Sequence, residues 1–237
     1  MRAIYLAFSV PAILLASAVD ASVVIDNITG GSSTGTFVSQ AGLTGMVDDL
    51  ELDGLAGPGN GTMLTQVQAV FGFGGTGMPA GFRVNVFSFN PAVLATQENG
   101  DVFSQIFLRN PGAGPVTLSP YPLPNAGDGF FPAGAFLVNI DMAGASPMLM
   151  PGPYYFSVVA VGGPFGSEAF VFGSNTVTVG TIDDALHVQY AGASPFPILA
   201  TNTNAAYRVF TNFVPTPGAA ALLGLAGLVT AKRRRRA

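Results

Sequence analysis

Hydrophobic and polar positions alternate along most of this chain. Over residues 66–73 the order Gln-Val-Gln-Ala-Val-Phe-Gly-Phe places Val67, Ala69, Phe71 and Phe73 on one side of an extended backbone. Successive side chains of a strand point to opposite faces, so this period of two marks a half-buried strand. Phe82, Val84 and Val86 likewise face away from Arg83 and Asn85. The same pattern predicts strands over 135–141, 154–161, 186–190 and 206–213. Shorter runs at 22–28, 46–52, 102–108, 170–172 and 176–179 are further candidates. Nothing between the two ends of the chain keeps a helical period.

Turn chemistry agrees with strands. The chain holds 31 Gly and 18 Pro, and Asn60-Gly61, Asn99-Gly100 and Asp128-Gly129 each fall between apolar runs. Residues 111–131 carry five prolines and read as a long surface connection. About ten strands at this spacing predict an all-β fold, an antiparallel β-sandwich of jelly-roll-like form. An outer-membrane barrel shares the alternation, but the strands are short, the turns Pro-rich and the chain end not an aromatic strand.

The two ends break the alternation. Arg2 precedes an apolar run over residues 4–15, and small residues follow as Ala16-Ser17-Ala18 and Val19-Asp20-Ala21. Charge, apolar core and small-residue exit are the three parts of a secretory signal helix over 1–21. Cleavage after Ala18 or Ala21 satisfies the rule; Ala21 is preferred because Ser22 then opens a strand. At the other end, Val214, Pro215, Thr216 and Pro217 precede an apolar stretch over 218–231 and the basic block Lys232, Arg233, Arg234, Arg235 and Arg236. The stretch is short for a ~20-residue membrane span, but its arginines can snorkel and act as a cytoplasmic stop-transfer charge. The Pro-x-Pro break keeps the preceding residues extended, where a membrane enzyme can reach them.

This tail resembles the PEP-CTERM sorting signal: a short Pro-containing motif, a transmembrane stretch and an arginine-rich end. Thr216 stands where that family carries Glu. The resemblance covers residues 214–237 and implies Gram-negative export, transient inner-membrane anchoring and processing by an exosortase-like enzyme. It further implies a cell-surface or extracellular destination and a link to exopolysaccharide or biofilm. A plain C-terminal membrane anchor is the competing reading. The domain organisation is thus a signal peptide over 1–21, a β body over 22–213 and a sorting tail over 214–237.

Composition narrows what the body can do. Charged residues are only 9% of the chain, against the ~25% usual in soluble domains. Five of the nine basic residues sit in the block at 232–236, so the body is acidic and ill suited to nucleic acid. The sequence has no Cys, which removes disulfides, thiolate metal sites and Cys nucleophiles; it has no Trp to stack on sugars. Its single His, His187, has no Gly-x-Ser-x-Gly elbow to serve, so no catalytic set is assigned and the chain is not expected to be an enzyme.

One acidic cluster stands out. Asp48, Asp49, Glu51 and Asp53 lie within six residues, and in a strand Asp49, Glu51 and Asp53 would share one face. Three hard oxygen ligands suit Ca²⁺. The plainer reading is a solvated strand edge that keeps a low-charge protein soluble. No other cofactor is indicated. The functions in view are a structural or adhesive matrix protein, a carbohydrate-binding module that uses Ca²⁺, and, least favoured, a hydrolase with two opposed carboxylates.

Overall fold

The computed structural model describes residues 22–28, 33–38, 44–52, 61–75, 77–89, 99–112, 114–122, 134–162, 169–174, 185–190 and 201–214. Within them the chain is all-β. The strands are β1 (Ser22–Asp26), β2 (Ser33–Val38), β3 (Thr44–Glu51), β4 (Gly61–Phe73) and β5 (Gly81–Phe87). β6 (Phe103–Leu108), β7 (Val116–Tyr121), β8 (Ala135–Asp141), β9 (Met148–Leu149) and β10 (Pro153–Val161) follow. β11 (Ala169–Ser174), β12 (Ala185–Tyr190), β13 (Thr201–Asn202), β14 (Asn204–Ala205) and β15 (Tyr207–Val214) complete the set. Both sheets are antiparallel throughout.

One sheet has six strands in the order β13-β12-β3-β10-β5-β6. The other has nine and is organised about the thirteen-residue β4, which pairs with β15 and β11 on one side and with β8 and β9 on the other. A single apolar layer joins them. Met46, Leu50, Phe82, Val84, Val86, Phe156 and Val158 from the smaller sheet pack with Val67, Ala69, Phe71, Phe73, Val138, Ile140 and Val209 from the larger. At ~25 cal/mol per Å² of buried apolar area, this layer dominates the stability of the body. Val70, Ala135, Phe170 and Phe172 form a second cluster on the far face of the nine-stranded sheet. That is why β4 ends as a continuous buried run instead of alternating.

The alternating segments are strands where expected, with ends moved by a few residues. Two sequence expectations need correction. Residues 111–131 are not one connection, because β7 lies within them and pairs with β8. Pro120 is tolerated there: Asp141 N donates to Pro115 O, so by alternation the backbone N of Pro120 points away from β8, where no donor is required. β2, rich in Ser, Thr and Gly, also escaped the apolar pattern. The candidate strand at 176–179 and the turn at Asp128-Gly129 lie outside the described residues, as do the signal segment and the tail from Pro215 onward. Among the described residues no helix is long and apolar enough to cross a membrane.

Gly100, expected in a turn, is required for a different reason. A Cβ there would strike the backbone oxygens of Phe103 and Val86 and lie 2.7 Å from Val86 N. Only glycine lets the chain pass this close as it enters β6.

Candidate functional site

The acidic cluster is split by its own strand. Along β3, Met46, Asp48, Leu50 and Leu52 point inward, while Val47, Asp49 and Glu51 point outward. Asp48 therefore carries a carboxylate into the apolar layer, where it is completely buried. It is met there by N–H donors. Ala205 N donates to Oδ2 at 2.9 Å, Asn27 Nδ2 donates to the same oxygen at 3.2 Å, and Asp49 N donates to Oδ1 at 3.1 Å. Ala205 belongs to β14 and Asn27 follows β1, both in the opposite sheet, so one side chain ties the sheets together. A buried carboxylate is costly unless such donors answer it, and charge-assisted bonds of this kind are the strong ones.

A second polar link lies beside the first. Tyr207, at the start of β15, is fully buried and stacks edge-on against Phe156, with ring centroids 5.5 Å apart. Its hydroxyl donates to Met46 O at 3.0 Å and accepts from Val158 N at 3.3 Å. The β3–β10 ladder runs as far as Val47↔Ser157, and Met46 with Val158 would be its next pair. The hydroxyl thus occupies the position of a ladder hydrogen bond where the two strands part. Asn27 N donates to Tyr207 O at 2.9 Å, which joins the two links into one seam.

On the outward face Asp49 and Glu51 share a side, as the period of two requires, but the surroundings differ from a solvated edge. β3 lies between β12 and β10, Asp49 is 1% exposed and Glu51 is half-buried. The solvated-edge reading is therefore set aside for Asp48 and Asp49. Asp53 lies outside the described residues. Among the described residues no group of three or more His, Cys, Asp or Glu side chains could hold a metal ion. Asp48 is committed to N–H donors on the opposite face from Asp49 and could not join Asp49 around one cation.

Elsewhere on the outward face, at the β5–β6 end, lies a polar network. Asn85 is fully buried; its Nδ2 donates to Ser157 Oγ at 3.1 Å. Its Oδ1 accepts from Ser104 Oγ at 2.8 Å and from Gly100 N at 3.3 Å. Beside it opens a shallow groove of about 490 Å³ lined by Arg83, Asn99, Ser104, Gln105 and Ile106. Among the described residues this lining offers a guanidinium, amides and a hydroxyl, groups that suit hydrogen bonding to a ligand. His187 is opposite Val47, which is opposite Ser157, so the register sets the His187 and Ser157 Cα atoms about 10 Å apart.

The ends of the described body meet on one strand. Ser22 is paired with Thr211, their hydroxyl oxygens 3.1 Å apart, and Val214 closes β15 opposite Gly61. Pro215, Thr216, Pro217 and Arg233 to Arg236 lie outside the described residues. Sequence reasoning missed the seam, although a signal existed. Asp48 sits between Met46 and Leu50 in the inward register, and Tyr207 shares its parity with Val209 and Thr211. Asn85 carried no such signal, since only the pairing of β5 with β6 and β10 brings its partners to it. Comparison with protein-family models, curated proteins and solved structures found no match to this chain.

Proposed function

We propose that this chain is an exported cell-surface or extracellular-matrix protein with a structural or adhesive role linked to exopolysaccharide. In this reading a signal helix directs export, and the all-β body is a jelly-roll-like sandwich. The C-terminal helix anchors the chain transiently in the inner membrane until an exosortase-like enzyme acts near Pro215 to Pro217. The observation that carries it is the three-part tail, Pro-Thr-Pro, apolar stretch and arginine block, placed directly after the last strand. The body supports it: β1 opens at Ser22, the residue after the preferred cleavage point, and β15 closes at Val214. Mass spectrometry of the surface fraction tests the reading, with a C-terminus near Pro217 expected.

The groove beside Arg83 favours a second reading, a carbohydrate-binding body. Amide and guanidinium groups and the Ser104 hydroxyl oxygen around an open groove fit a hydroxyl-rich or acidic saccharide. A glycan array separates the two: specific binding that Gln105→Ala weakens favours the module, and no binding favours the structural role. Ca²⁺ at Asp49, Glu51 and Asp53 belongs to this second reading. It requires millimolar Ca²⁺ to raise the melting temperature and Asp49→Asn with Asp53→Asn to abolish the rise.

A further inference from the structure

We propose that β6 is a self-association edge, pairing antiparallel with β6 of a second copy about a two-fold axis at Ile106. The inference stands on the sheet geometry and does not depend on the sorting reading. β6 ends the six-stranded sheet and is hydrogen-bonded to β5 alone among the described strands. Arg109 N donates to Ala80 O at 2.8 Å, which continues the β5–β6 register. Antiparallel bonding alternates, so the backbone groups of Phe103, Gln105 and Phe107 face β5, and those of Ser104, Ile106 and Leu108 face outward. Gln105 Nε2 reaches Ile106 O at 3.4 Å, a weak contact that an incoming N–H would replace. A row of alternating N–H and C=O groups is matched by another strand and by little else.

The other edges carry features that discourage pairing. β7 contains Pro120, and β1 has a bulge between Val23 and Ile25 and the Asp26–Arg208 ion pair. The β11–β2 ladder is irregular between Phe172 and Ser174, and β13 is two residues long. Phe103–Leu108 has no proline, no charge and no bulge in its register. It also exposes apolar side chains: Leu108 is 62% exposed and Ile106 39%. Among the described strands of this low-charge protein, this is the edge left open.

The sequence of β6 fits a second copy of itself. With the axis at Ile106, Ile106 meets its own counterpart and Ser104 meets Leu108, so the exposed apolar residues become neighbours on one face. No charged residue opposes a like charge, because Arg109 falls beside Phe103. The two six-stranded sheets then run on as one. A six-residue strand pair buries less than the ~1,200 Å² of a stable complex, so the association is weak and concentration-dependent. Tethering to one surface would raise the effective concentration.

The test uses the full chain in detergent micelles, so any association through the tail is common to all variants. Sedimentation velocity should show wild type shifting from monomer toward dimer with rising concentration. Ile106→Lys and Ile106→Pro should each weaken the shift at least tenfold, with circular dichroism and melting temperature unchanged or nearly so. Pro is tolerated because the Ile106 N–H points outward. Leu108→Lys supplies a second route should Ile106→Pro fold poorly. The chain has no Cys, so crosslinking is clean. Ile106→Cys should give a covalent dimer on mild oxidation, and Ser104→Cys less than a tenth as much, because Ser104 meets Leu108 and not itself. A wild type that stays monomeric, variants that associate as wild type does, or Ser104→Cys crosslinking as strongly as Ile106→Cys would each overturn the proposal.

Discussion

At Asp48 and Tyr207 polar atoms lie wholly inside the apolar layer, and groups from both sheets meet them. At β6 the outward backbone row and the side chains of Ile106 and Leu108 face solvent. The two regions treat the same problem, a hydrogen-bonding group in an apolar setting, in opposite ways. The seam uses those groups to fix how one sheet sits on the other. The edge leaves them for a partner. Changes in the seam should therefore act on stability, and changes at the edge on association.

The largest expected effect is at Asp48. Asp48→Ala would leave Ala205 N and Asn27 Nδ2 buried without their acceptor, and should cost about 3–5 kcal/mol. Urea unfolding of the 22–214 body measures it. Asp48→Asn should cost less, because its amide oxygen can still accept from Ala205 N.

Next is Gly100→Ala, which should cost about 2–3 kcal/mol in the same unfolding assay. The added methyl has only the backbone of Val86 and Phe103 to displace. Tyr207→Phe should cost about 2 kcal/mol: the ring still packs on Phe156, but Met46 O and Val158 N lose the hydroxyl between them. Amide exchange should then quicken at Val158 first.

The smallest effect on stability belongs to the edge. Ile106→Lys should change unfolding by no more than ~0.5 kcal/mol, because the side chain is already partly solvated. If it destabilised as much as Tyr207→Phe, the contrast between seam and edge would be lost.

Much of the fold was legible because a half-buried strand writes its period into the sequence. β4, β5, β8 and β10 have strong apolar alternation and were recognisable. β2 and β7 were not, since their Ser, Thr, Gly and Pro content reads as turn chemistry, and pairing overrides propensity at both. The site was less legible for a related reason. Counting acids in residues 48–53 showed a cluster, but only the inward register of Met46 and Leu50 separates Asp48 from Asp49. The groove at Arg83 needs the pairing of β5 with β6 to bring its residues together. The seam at Tyr207 is assembled by strands far apart in the chain.

The central claim is that a folded β body is delivered to the surface and cut from its tail just beyond β15. Mass spectrometry of surface-exposed protein from the native host measures this most directly. The account predicts a C-terminal peptide ending near Pro217, without Arg233 to Arg236, and loss of that peptide when Pro215 and Pro217 are replaced by Ala. Surface protein that still carries arginine-containing C-terminal peptides, whatever the state of those prolines, would contradict it.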